Sequence, residues 1–329
     1  MSQCGVSVII CCHNSAERLP KTLEYLANQQ VRKGIQWEII VVDNLSTDNT
    51  AQIAQQEWEI RSGLVPMKVV RQEIPGLSYA RQKGIEASLY DLLIFCDDDN
   101  WLFPTYVQHS FELAEKNRHV AAIGGQGIAI SNVELPKWFD CYKMYYACFP
   151  QAESTGELKG KMARLYGAGL VLRKESFQTL ITKGFSALIS DRIGTKLTSG
   201  GDNELCYALQ LTGHKLYYSE DLKFYHFIPE NRLTRNYLLR LINGISYSSM
   251  ALILYHYAMT EKKITRFTWT KDFAYRLFVF AFTSIMTLTK RDPLEKKLSI
   301  QSSYSALTAI MQLHGKYESV YEQLLALKR

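Results

Sequence analysis

Residues 92–104, LLIFCDDDNWLFP, set a short apolar run directly against Asp97, Asp98, Asp99 and Asn100. The run is brief and β-favouring, so it reads as a buried strand with three carboxylates at its carboxyl end. Such acids are costly to bury unpaired, because an isolated charge loses its hydration. They also repel one another unless a cation sits among them. Hard divalent cations such as Mg²⁺ and Mn²⁺ favour oxygen ligands of this kind and often share them with substrate phosphates. In open α/β sheets the carboxyl ends of the strands are also where ligands bind. A solvated Asp-Asn turn is the alternative for this segment alone.

The elements that must position these acids follow a repeated plan. Val6–Cys11 reads as a strand ending at His13-Asn14-Ser15, followed by a helix with Leu19, Leu23 and Leu26 at helical spacing. Ser15 suits its N-cap and Pro20 an early helical position. Trp37–Val42 is a second buried strand closed by Asp43-Asn44, and a helix runs from Ser46 to about Ile60. Met67–Val70, a Pro75-Gly76 turn, a helix from Ser78 and the strand Leu92–Cys96 continue the alternation. Strands alternating with helices imply a parallel sheet with helices on both faces.

Beyond Val120 the pattern is mixed. AAIGGQGIAI and Gly167–Arg173 look like strands, and Trp138–Pro150 is an aromatic-rich loop or helix. A helix is expected at Asp202–Leu211 and a strand pair or strand-turn-strand at Lys215–His226. Past Pro229 come apolar helices at Tyr237–Ala258 and Phe273–Thr289, then a final amphipathic helix at Tyr304–Leu327. The apolar stretch Leu277–Leu288 is too short to span a bilayer. Its faces suit a membrane interface, the catalytic domain or a second subunit.

The 329 residues are 47% apolar and 21% charged, as in a folded globular chain. A formal charge of +6 suits anionic partners without choosing among them. Seven cysteines without a C-x-x-C pair, and no evident signal peptide, point to a reducing cytosol.

The segments VSVIICCHNSAERLPKTLEYLANQQ, WEIIVVDNLSTDNT, PGLSYARQKGIEAS and LIFCDDDNWLFP occur in that order, each strand leading into a polar loop. The set resembles the family 2 glycosyltransferases, nucleotide-sugar enzymes of the GT-A fold, closely over residues 4–110 and more loosely over 160–228. The resemblance implies an α/β fold: a Rossmann-like, nucleotide-binding mixed sheet flanked by helices, with a C-terminal helical extension. It places a catalytic domain at 1–230, with a nucleotide-sugar half to about 110 and an acceptor half to about 230, and the extension at 231–329.

It also implies a site. Asp43 is the nucleobase acid, for which a helix-start acid is the alternative. His13 and Asn14 lie beside the nucleotide, although Cys-Cys-His-Asn replaces the usual Pro-Thr-Tyr-Asn. Arg81 is a nucleotide-pairing residue, or an exposed helical arginine. The Asp-x-Asp metal motif falls on Asp97 and Asp99, the first touching ribose and the second the metal, with Asp98 between them. Asn100 stands where a further acid is frequent. Gly200-Gly201-Asp202-Asn203-Glu204-Leu205 resembles the Glu-Asp-x-x-Leu segment that carries the base. Asp202 keeps the base position, Gly201 replaces the first acid, and Glu204 is the second choice; a helix-capping aspartate is the alternative. His226 matches a histidine given to metal or pyrophosphate, and Mn²⁺ or Mg²⁺ is the implied ion.

The expected reaction is inverting single displacement from a nucleoside-diphosphate sugar, UDP favoured, carrying a hexose or N-acetylhexosamine. The acceptor is a glycan or lipid-linked hydroxyl, in bacterial surface polysaccharide synthesis. A homodimer through the tail, slightly favoured, or peripheral contact with the inner membrane edged by Arg235, Arg240, Arg276, Lys290 and Arg291, completes the expectation. Other readings are a non-catalytic nucleotide- or sugar-binding protein, a nucleotidyltransferase and an NAD-dependent dehydrogenase. No G-x-G-x-x-G follows the first strand and no G-x-x-x-x-G-K-[ST] occurs. Scattered basic residues oppose nucleic-acid binding.

Overall fold

The computed structural model describes residues 3–61, 65–160, 162–189, 191, 199–265, 267–289 and 292–328. Four strands come first: β1 (Gln3–Cys12), β2 (Trp37–Asn44), β3 (Met67–Gln72) and β4 (Tyr90–Asp97). Between them lie α1 (Leu19–Ala27), α2 (Thr50–Ile60) and α3 (Leu77–Ala87). Every residue of β2 is buried, as a strand covered on both faces requires. Pro20 stands in the first turn of α1, but Ser15 does not cap it. Its carbonyl accepts the N–H groups of Arg18 and Leu19 in a preceding turn. The helix therefore starts later than the Ser-Ala-Glu sequence suggests.

The second half adds β5 (Asn100–Leu102), α4 (Tyr106–Lys116), β6 (Val120–Ile130), α5 (Phe139–Tyr142), β7 (Gly156–Glu157) and β8 (Val171–Arg173). Helices α6 (Lys174–Thr182) and α7 (Gly201–Leu211) precede β9 (Lys215–Phe227). Lys215–His226 is thus one strand rather than a pair. A register shift against β6 absorbs the Glu220-Asp221 polar interruption. Among the described residues the strands form one sheet of order β3-β2-β1-β4-β8-β6-β9-β5, with β7 on β9. β1 to β4 are parallel, while β8 runs antiparallel to both β4 and β6, so the sheet is mixed.

Register aligns the future site. Cys12 pairs with Asp43 and Cys11 with Asp97, which levels the carboxyl ends of β1, β2 and β4. At the other edge Asn100 pairs with His226, carrying that histidine to the acid turn from far along the chain. Helix α3 lies close on the sheet because Gly84 has no side chain: a β-carbon there would fall 2.3 Å from Ile9 Cγ2.

The chain ends in α8 (Arg235–Ala251), α9 (Ile253–Met259), α10 (Thr268–Met286), α11 (Pro293–Gln312) and α12 (Tyr317–Lys328). The helix expected over Tyr304–Leu327 is broken, because Gly315 takes φ +74° between α11 and α12. Leu205 and Leu209 of α7 share a core with Leu254 and Tyr255 of α9 and Tyr321 and Leu324 of α12. Arg235–Met259 has the length and apolarity of a membrane span by composition, yet Leu254 and Tyr255 are fully buried in that core. Helix α10 is different. It packs on α11, Thr268 is its one buried residue, and Phe278, Phe282 and Ile285 are more than half exposed. Asp272 anchors it by accepting hydrogen bonds from the hydroxyls of Tyr257 and Tyr317. Of the basic residues expected to edge the tail, Lys290 and Arg291 lie outside the described residues.

Candidate functional site

A cavity of about 450 Å³ opens where the carboxyl ends of β1, β2 and β4 meet α7 and α8. His13, Arg81, Asp97, Asp98, Asp99, Asp202 and His226 line it. Asn14 and Asp43 do not. Asn14, at φ +50°, uses its side-chain oxygen to accept the Thr47 N–H at 2.8 Å, and Asp43 Oδ1 accepts the Ser46 N–H at 3.0 Å. Both shape the loops beneath the rim. Their neighbour Asn44 does line the cavity; its amide donates to Ile74 O at 2.7 Å and accepts the Gly76 N–H at 2.8 Å. The His13 ring donates from Nδ1 to Asn44 O at 2.8 Å.

The acid turn has its own logic. Asn100 is fully buried, its oxygen accepts the Asp97 N–H at 3.2 Å, and its amide donates to Asp99 Oδ1 at 3.1 Å. An aspartate at 100 could accept but not donate, which explains the amide here. Arg18 donates to Asp98 Oδ2 at 2.6 and 3.2 Å, and Arg232 to Asp99 Oδ2 at 2.7 Å. The countercharge required by adjacent acids is therefore supplied partly by the chain itself. Burial raises the Asp98 pKa and Asp99 adds to this, while Arg18 opposes both. Burial works against the charge on Arg232, but Asp99, Tyr237 and Asp98 together outweigh it and the guanidinium is held more firmly protonated. Asp97 is half-buried and faces the same cavity.

His226 suits an ion. Its Nδ1 donates to Tyr146 O at 2.7 Å, because a carbonyl can only accept. In the neutral ring this leaves the Nε2 lone pair 3.5 Å from Asp99 Oδ1. Two acceptors so placed repel unless a cation lies between them. A histidine tied through its other nitrogen to a backbone carbonyl is the usual arrangement of a metal ligand. Among the described residues no three His, Cys, Asp or Glu side chains converge as a cage. The pair therefore fits an ion that draws its other ligands from phosphate and water.

Asp202 stands in the first turn of α7. The N-cap position belongs to Gly200, so the aspartate is not the cap. Its two oxygens accept the N–H groups of Gly167 at 2.9 Å and Asn203 at 2.8 Å, and each retains a lone pair. Burial raises its pKa and Asp191 raises it further, against the pull of Arg81. The result is a carboxylate more basic than usual. Asp191 itself is buried, accepts the N–H groups of Gly200 and Gly201 at 3.2 and 3.1 Å, and lies 3.8 Å from Arg81 Nη1. Arg81 is thus no loose helical arginine. It sits over the Phe95 ring at 5.3 Å and faces Asp191, Asp97 and Asp202. Glu204 points elsewhere: it accepts from Leu188 N, Ile189 N and the Tyr255 hydroxyl, and lines no part of the cavity.

Arg18, Arg232 and Asp191 escaped the sequence reading. Arg18 follows the first-strand loop by one helical turn, a spacing that could have drawn notice. Nothing local marks the other two.

Residues 7–181 match the family described as Glycosyl transferase family 2. The putative glycosyltransferase EpsH of Bacillus subtilis is 32% identical over 110 residues, covering 33% of this chain and 30% of that protein. The glucosyl-dolichyl phosphate glucuronosyltransferase of Haloferax volcanii is 22% identical over 259 residues, or 78% of this chain and 80% of the relative. Among solved structures, Staphylococcus aureus TarS residues 1–349 in complex with UDP superposes with a TM-score of 0.53 at 15% identity, covering 94% of this chain and 91% of that one. That likeness shows a shared GT-A fold.

Proposed function

This chain belongs to glycosyl transferase family 2, and on that premise we propose that it transfers a sugar from a UDP-sugar to a hydroxyl of a glycan or lipid-linked acceptor, with inversion. The observation that carries this reading is one cavity holding both a basic carboxylate, Asp202, and the group Asp97, Asp99, His226 and Arg232. The first suits an attacking hydroxyl and the second a departing diphosphate. The UDP complex of TarS supports the choice of donor.

In this mechanism Asp202 takes the proton of the acceptor hydroxyl as it attacks the anomeric carbon, a role worth roughly 10²–10⁴-fold in rate. Its backbone partners fix its orientation, and its raised pKa strengthens it as a base. Arg81, Arg18 and Arg232 stand where guanidinium donors can meet the diphosphate, as planar forks do well. When bound, Mn²⁺ or Mg²⁺ held by Asp99 and His226 supplies further positive charge to that leaving group. Asp97 serves the ribose, Asp98 holds Arg18, His13 borders the nucleotide, and Asn14 and Asp43 act on the nucleobase side through the loops they set.

The setting we propose is synthesis of a bacterial surface polysaccharide at the cytoplasmic face of the membrane. The outer face of α10 would rest on an anionic bilayer. Between Phe273 and Thr289 there is no acid and Arg276 is the one charge, so pairing two such faces would offer no opposite charges to match. Replacing Asp202 by asparagine tests the chemistry. Transfer should fall by about a hundredfold or more, while calorimetry shows UDP binding as before. An Asp202→Asn enzyme of full activity would overturn the assignment and favour a protein that binds nucleotide or sugar without chemistry.

A further inference from the structure

A second cavity, of about 290 Å³, adjoins the first and shares Arg164, Asn203 and Ser249 with it. To these it adds Arg276 of α10 and His256 of α9. Among the described residues no Asp or Glu lines it. Arg164 is exposed and meets the hydroxyl of Tyr207, and the Arg276 guanidinium lies 5.2 Å from its neighbour's ring, Tyr275. Two guanidinium groups that form no salt bridge among the described residues, beside hydroxyl and amide donors, suit a compact anion.

The donor's diphosphate already has Arg18, Arg81 and Arg232 in the first cavity. The second cavity shares Asn203, the residue after the proposed base, with the first. Resting on the transferase reading above, we infer that this cavity is a phosphate subsite: the acceptor carries a phosphate group that Arg164 and Arg276 hold while its hydroxyl reaches Asp202. The same phosphate chemistry is found in an isoprenoid-linked sugar phosphate, whose sugar supplies the hydroxyl and of which farnesyl phosphate copies the lipid and the phosphate, and in a soluble polyol phosphate. Leu277 and Phe278, exposed on the same helix as Arg276, give α10 an apolar surface that suits the lipid source.

The test uses the full chain and three ligands: farnesyl phosphate, uncharged farnesol and glycerol phosphate, each titrated with and without UDP. Farnesyl phosphate should bind at least about tenfold more tightly than farnesol, since hydrogen bonds to a charged group carry that much affinity. Arg276→Gln should lose most of this difference, and Arg164→Gln likewise, while Arg276→Gln binds UDP within about twofold of wild type. Farnesyl phosphate binding well above glycerol phosphate assigns the lipid source, and equal binding of the two phosphates assigns the soluble one. Equal binding of farnesol and its phosphate overturns the subsite, as does an Arg276→Gln, Arg164→Gln double variant with wild-type phosphate affinity. Circular dichroism of that variant confirms that it is folded. A wild-type chain that fails to bind UDP sinks the transferase reading instead, and the phosphate titrations still decide the cavity.

Discussion

Replacing Gly201 with alanine should destabilise the protein, although alanine is ordinarily the better helix residue. Gly201 opens α7 without a positive φ, so the backbone itself would accept a side chain. The obstacle is Asp191. A β-carbon at 201 would lie 2.3 Å from Asp191 Oδ2 and 2.8 Å from its Cγ. That carboxylate cannot yield cheaply, being 5% exposed and accepting the N–H groups of both Gly200 and Gly201. Displacing it loses hydrogen bonds to a charged acceptor, about 1.5–3 kcal/mol each. Against this stands a helix-propensity gain of up to about 1 kcal/mol. The net cost of Gly201→Ala should be roughly 2–4 kcal/mol. In an Asp191→Ala background the obstacle is gone, and the same Gly201→Ala change should be neutral or slightly stabilising. Urea midpoints for the four proteins, read by tryptophan fluorescence, give the coupling between the sites. We expect about 3 kcal/mol of non-additivity. Additive effects within about 0.5 kcal/mol would refute the claim that Asp191 occupies the space a side chain at 201 would need. It would also loosen the link from Asp191 to Arg81 and Asp202.

The remaining predictions concern the ion, a buried acid and the tail. UDP should bind about tenfold more tightly with Mn²⁺ than in excess chelator, and His226→Ala should remove that increment, as losing a ligand-positioning contact commonly does; equal binding in chelator refutes the Asp99–His226 pair. Burial pushes the Glu204 pKa up to about 7 against the pull of its three hydrogen-bond donors, from 4.5 in an unperturbed carboxyl. The folded chain therefore holds a proton that the unfolded one releases, so this contribution is full below about 4.5 and is lost as pH rises through about 7. Melting temperature should fall across that window in the wild type more than in Glu204→Gln, and parallel profiles would remove the assignment. Phe278→Ser with Phe282→Ser should abolish flotation on anionic liposomes and leave light scattering unchanged. A wild type that dimerises in solution and ignores liposomes would give the face to a second copy.

The order of strand, polar loop and helix was legible from Val6 to Leu102 because each element is specified by neighbours a few residues away. Apolar runs such as WEIIVVDN and LLIFCD need no distant partner to read as buried strands. The acids themselves were equally visible: Asp97, Asp98, Asp99 and Asp202 all line one cavity. What local pattern could not decide was how each charge is answered. Arg18 meets Asp98 across 80 residues, and Arg232 meets Asp99 across 133. His226 reaches Asp99 because β5 pairs with β9 in one register. A shift of one residue there would turn its ring to the opposite face. Asp191 is the clearest case: its carboxylate fills the place left by the missing side chain of Gly201, a relation of shape that no spacing along the chain encodes. Charge and hydrogen-bonding capacity belong to residue types and can be read in order, but their pairing depends on distances that exist only once the sheet has closed around them.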